Sequence, residues 1–183
     1  MNTRNTIATA TICVLSVTIS DFVSPHRVNA ESIEPEYIKE CRRLVTGTYL
    51  TTTIFANFGS FRGVTTFNRD GNFVATDPIQ SGLTNIPSPS SSNTLGRWKC
   101  ISDKEITATG LAFIYPTATL PASIIRGDFR ATFNSADKTW EGTGTLRTFA
   151  LNANPLKDDA PVVATFTVTG EGIKLGQPKK QQY

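Results

Sequence analysis

The sequence predicts an all-β fold, an antiparallel up-and-down barrel of about eight strands with one short N-terminal helix. Three observations carry this. Threonine supplies 22 of the 153 residues from Glu31 onward, many alternating with aromatic and β-branched residues, a composition that suits half-buried pleated surfaces and disfavours helices. Runs of this kind recur between clusters of glycine, proline, asparagine and aspartate. Most connections between the runs are too short for a crossover helix, so neighbours pair antiparallel, and closing the meander removes exposed edges.

In chain order, residues 1–30 read as a signal peptide. Arg4 precedes the segment from Ile7 to Ser20, in which nine of fourteen residues are apolar. That is too short to span a bilayer and suits the core of a secretory signal. Cleavage is expected after Val28-Asn29-Ala30, and the protein is expected to be exported, either secreted or periplasmic. No later segment is apolar enough to cross a membrane. Residues 31–176 form a single expected domain, and Gln177–Tyr183 reads as a disordered basic tail.

A helix is expected from Glu34 to Leu44. Pro35 stands near its start, Glu34 and Glu36 lie early, and Arg42 and Arg43 lie late, as the helix dipole favours. The expected strands are Thr46–Ala56, Phe61–Asn68, Asn72–Asp77, Leu95–Ile101, Glu105–Tyr115, Ser123–Asn134, Thr139–Ala150 and Val162–Thr169. Asp70-Gly71 marks a hairpin turn with Gly71 left-handed, which sets Phe67 opposite Phe73.

A four-residue loop at Ser135-Ala136-Asp137-Lys138 pairs Asn134 with Thr139. One face then matches Phe133 with Trp140, Ala131 with Gly142, Phe129 with Gly144 and Gly127 with Leu146. The other face carries Arg126, Asp128 and Arg130 against Glu141, Thr143 and Arg147. Its diagonals are Asp128–Arg147 and Arg130–Glu141, and it reads as a solvated outer face. Two irregular loops remain. Pro78 to Thr94 holds three prolines and five serines and is a candidate lid, and Leu151 to Pro161 is polar.

Removing residues 1–30 deletes Arg4, Arg27 and Asp21 and leaves a net charge of +2, equal to the contribution of Lys179 and Lys180. There is no basic stripe with interleaved aromatics, so nucleic acid is not an expected partner. His26 lies in the signal, and a mature chain without histidine excludes Ser-His-Asp and Cys-His catalysis and His-dependent metal sites. Cys41 and Cys100 are expected to form a disulfide, since an even pair in an oxidising compartment favours one. No cofactor is expected: phosphate loops, zinc spacings and EF-hand loops are missing from the sequence. Ser135-Ala136-Asp137-Lys138 matches a Ser-x-x-Lys pattern, but in a hairpin loop rather than at a helix start.

Gly47-Thr48-Tyr49-Leu50, Thr66-Phe67-Asn68-Arg69-Asp70-Gly71 and Gly96-Arg97-Trp98 together resemble small exported lipocalin-like (calycin-like) β-barrel proteins, whose members are mostly of unassigned function. The resemblance runs from Thr46 to Thr169. It departs from true lipocalins, whose Gly-x-Trp lies on the first strand. Here that place holds Gly47-Thr48-Tyr49, and Gly96-Arg97-Trp98 falls on the fourth. The resemblance therefore implies a barrel that can be hollow, and carries over no classical lipocalin ligand or receptor.

The candidate cavity-lining residues are Phe67, Phe113, Phe129, Phe133, Trp140 and Leu146, with Phe73 and Tyr115 among the other aromatics. Gly127, Ala131, Gly142 and Gly144 leave room for a cavity, yet large residues opposite glycines are also how a filled core packs. Trp98, beside Cys100, is expected near a barrel end. The leading functional reading is a non-catalytic binding module for a small apolar or amphiphilic ligand. One alternative is a cyclase- or isomerase-type enzyme using a buried carboxylate, for which Glu105, Glu141 and Glu171 are the available residues. The other is a structural or protein-interaction module presenting the Pro/Ser loop.

Overall fold

The computed structural model describes residues 34–56, 59–78 and 89–176. The expected signal peptide, most of the Pro/Ser loop and the basic tail lie outside the described residues. The chain enters through a helix, α1 (Glu36–Val45), and continues into β1 (Gly47–Phe55), β2 (Gly59–Phe67), β3 (Asn72–Thr76), β4 (Thr94–Cys100), β5 (Glu105–Ile114), β6 (Ser123–Asn134), β7 (Thr139–Ala150) and β8 (Val162–Lys174). Each strand pairs antiparallel with the next, and β8 returns to β1 to close the barrel.

The register follows the alternation of large and small residues. Phe67 lies opposite Phe73, and the β6–β7 hairpin sets Phe133 against Trp140, Ala131 against Gly142, Phe129 against Gly144 and Gly127 against Leu146. A slip by one residue would turn every aromatic ring of β6 to the outside, so the pattern fixes the pairing. Gly71 adopts φ +85° in the β2–β3 turn, a conformation that suits glycine. There Asp70 accepts bonds from the Asn72 backbone (2.9 Å) and side-chain (2.7 Å) nitrogens.

Strand β8 is longer than expected. It runs through Gly170 and Gly172 to Lys174 rather than ending at Thr169. Those glycines look like a turn signal in the sequence, but here they make room for a ring. A side chain at Gly170 would begin 3.0 Å from the Trp140 indole, and one at Gly172 would overlap its nitrogen.

The tight turns after β2, β4 and β6 share one end of the barrel with α1. That end is solid. Cys41, Val45, Tyr49, Phe67, Phe73, Trp98, Ile106 and Phe133 form a continuous buried cluster. Edge-to-face contacts link Tyr49, Phe67, Phe133 and Trp98, with ring centroids 5.7–6.1 Å apart. Trp98 shares its indole hydrogen between the Asn68 and Asn72 carbonyls, each 3.1 Å away.

A ten-residue helix is marginal alone. α1 is held by the Cys41–Cys100 disulfide and by three bonds to its last carbonyls. The Tyr49 hydroxyl donates to Leu44 O (3.1 Å) and Val45 O (3.0 Å), and Lys174 Nζ donates to Leu44 O (3.0 Å). The same ammonium lies 5.5 Å from the Tyr49 ring centroid, within cation–π range.

This docking has a pH signature. Burial drives the Tyr49 phenol well above its ordinary 10.0. The folded protein then keeps a proton that the unfolded chain gives up, so this stabilisation is complete below about pH 10 and declines above it. Lys174 acts in the opposite sense. Burial first, and Lys138 second, lower its pKa from 10.5, so stability tied to it rises with pH up to that value. Tyr49→Phe is expected to cost about 1–3 kcal/mol through the lost carbonyl bonds. It should also flatten the alkaline loss relative to wild type, read as urea midpoints from pH 8 to about 11.

On the outer wall Asp128 accepts from Thr109 Oγ1 (2.7 Å) and pairs with Arg126 (3.0 Å) and Arg147 (3.3 Å). The expected Asp128–Arg147 diagonal is therefore present. Arg130 instead pairs at 3.0 Å with Glu105, its diagonal neighbour on β5 rather than on β7. Arg126 also donates to Pro155 O (3.0 Å), which draws the β7–β8 loop over the outside of the wall near the buried Phe149.

Candidate ligand-binding site

Above the solid end the barrel is hollow. The cavity has a volume of about 930 Å³ and opens at the end that carries the longer loops. That volume lies within the usual range for small-molecule sites, roughly 300–1,000 Å³.

The hollow follows from how the aromatic rings lie. Phe129 lies over Gly127 and Gly144, so that a side chain at Gly127 would begin 2.5 Å from the ring. Phe73 lies over Gly96 and Gly110, and Trp140 over Gly170 and Gly172. Each ring folds down onto a glycine of the neighbouring wall instead of reaching across the lumen. Ala75, Ala108, Ala112, Ala131 and Ala164 keep the rest of the wall thin. Glycines in these strands therefore do not leave holes. They accept rings, and the space is left in the middle.

Of the residues the sequence singled out, Phe67, Phe129, Trp140 and Leu146 line the cavity together. Phe133 does not. It belongs to the solid end, in edge-to-face contact with Tyr49 and Phe67. Phe113 is turned outward and is 53% exposed, because Ala112 and Ile114 hold the inward positions of β5. Phe73 lines the lumen and Tyr115 is exposed. Glu105, Glu141 and Glu171 alternate with the inward residues Ile106, Trp140, Gly142 and Gly170, which places all three carboxylates on the outer wall.

The sequence reading missed the polar part of the wall. Thr51 and Thr53 on β1 and Thr65 on β2 point into the lumen, and Thr51 and Thr65 are almost fully shielded from bulk solvent. Alternation pointed the other way, since the apolar residues flanking Thr51 and Thr53, Leu50 and Ile54, stand outside and are 39% and 43% exposed. Nothing in so threonine-rich a sequence marked these three as different. Of the charged residues bordering the cavity, Asp77 is adjacent to Gly63, where its Cβ lies 3.1 Å from the position a side chain would take. Arg130 contributes only its base, its guanidinium being turned out to Glu105.

Trp140 carries a buried indole N–H without a hydrogen-bond partner. Among the described residues no group of three or more His, Cys, Asp or Glu is placed to hold a metal ion, and no helix is long and apolar enough to cross a membrane. Comparison with protein-family models, curated proteins and solved structures found no match for this chain. The closed eight-stranded antiparallel barrel is compatible with a lipocalin-like fold.

Proposed function

We propose that this protein is an exported binding module that encloses one small apolar or amphiphilic molecule in its barrel and performs no chemistry on it. The observation that carries the reading is the cavity of about 930 Å³, lined mainly by Phe55, Phe61, Phe129, Leu146, Phe166 and other apolar side chains. Burying an apolar ligand there gains roughly 25 cal/mol for each Å² removed from water. The enzyme alternative asks for a buried carboxylate, and the three considered for it stand on the outer wall. The Cys41–Cys100 disulfide supports export, since such bonds persist in oxidising compartments.

Titration with the fluorescent lipophile N-phenyl-naphthylamine tests the reading. Saturable binding of one dye per chain, with quenching of tryptophan emission from Trp140 in the wall, is the expected result. Non-saturable enhancement, or none, would overturn it.

A further inference from the structure

Among the described residues lining the lumen, the polar side chains shielded from bulk solvent, Thr51 and Thr65, stand on one side of it, while Thr94, Ser123 and Thr148 elsewhere on the lining are less buried. Thr51 and Thr53 stand on β1 and Thr65 on β2, and in a closed barrel of eight strands those strands face β5 and β6. Across from the hydroxyls lie Ile106, Ala108, Ala112, Ile125 and Phe129. Among the described residues nothing hydrogen-bonds the three threonine hydroxyls. They open on the lumen, each able to donate to and accept from one oxygen.

Charge narrows the choice. The lumen presents no ammonium or guanidinium among the described residues, Arg130 being committed to Glu105 outside. An anionic headgroup drawn inside would lose its hydration and gain no cationic partner.

We infer that the ligand is an uncharged lipophile bearing a hydroxyl or carbonyl oxygen, held with that oxygen against Thr51, Thr53 and Thr65 and its hydrocarbon against the β5–β6 wall. This deepens the binding reading above and rests on it. A purely hydrocarbon ligand would leave the shielded hydroxyls of Thr51 and Thr65 unsatisfied. An anionic ligand would bury an uncompensated charge.

The test displaces the dye with one carbon skeleton in four forms: dodecane, dodecanol, dodecanoate and dodecylamine. At about pH 8 the acid and amine are ionised. Dodecanol is expected to bind most tightly, and dodecanoate about a hundredfold more weakly. In the double variant Thr51→Val with Thr65→Val, which keeps side-chain shape, dodecanol should weaken about tenfold while dodecane is unchanged or improves. Equal or tighter binding of the acid or amine overturns the inference, as does a valine variant that still prefers the alcohol. Binding of none of the four forms or the dye overturns the binding reading itself.

Discussion

Removing the Cys41–Cys100 bridge, by reduction or by Cys41→Ser with Cys100→Ser, is expected to lower stability by about 4 kcal/mol. The bridge closes a loop with a sequence separation of 59, and the chain-entropy model converts a loop of that size into about this much stabilisation. For a domain of this size the melting temperature should fall by roughly 8–16 °C. The loss should begin at α1. Without its tether the short helix is left with the bonds from Tyr49 and Lys174 to its last carbonyls and the packing of Leu44 and Val45, and its departure opens the solid end of the barrel to water. Differential scanning calorimetry of the oxidised and serine forms measures this. Coincident transitions would mean that the barrel is stable without its cap.

The second large effect falls on the hollow itself. Gly144→Ala places a methyl group where the Phe129 ring lies, with Asp128 O 3.1 Å away on the other side. The ring can give way only by swinging into the lumen. Lipophile binding is then expected to weaken about tenfold, and overpacking to cost about 1–3 kcal/mol. Phe129→Ala in the same chain removes the displaced ring, so the double variant should regain binding, a coupling that independent sites do not show. Dye titration of the wild type, both single variants and the double variant reads out the cycle. If Gly144→Ala binds as well as wild type, the ring does not lie where the argument needs it.

These effects show which features the sequence made legible. The β6–β7 hairpin could be read to the residue, because the four-residue loop at Ser135–Lys138 sets one register, and in it Phe129 faces Gly144 and Leu146 faces Gly127. The helix was shifted by one or two residues, starting at Glu36 instead of Glu34, because Pro35 is its N-cap rather than part of its first turn. The end of β8 was missed, since glycines at Gly170 and Gly172 look the same whether they make a turn or a seat for an indole ring.

The site was harder to read. Phe67, Phe129, Trp140 and Leu146 were identifiable as inward residues. The level along the barrel axis, which puts Phe133 in the solid end and leaves Phe129 beside open space, depends on strand stagger across the whole sheet. Phe113 was misplaced because the end of β5, Leu111-Ala112-Phe113-Ile114, is apolar at both parities, and the outward parity is marked only earlier in the strand, by Glu105, Thr107 and Thr109. The threonine hydroxyls of the lumen were hidden by the same composition that revealed the fold. Whether rings cross a barrel or lie along its wall is set by neighbouring strands, and no single strand encodes it.

The most direct measurement is a crystal structure of the protein soaked with a bromine-terminated dodecanol, located by the anomalous signal of bromine. A barrel that is hollow because Phe73, Phe129 and Trp140 lie along its wall predicts a bromine peak inside the lumen near Ala112 or Ile125, with the ligand oxygen toward Thr51 and Thr65. An interior filled by those three rings, with bromine only on the outer surface, would contradict it.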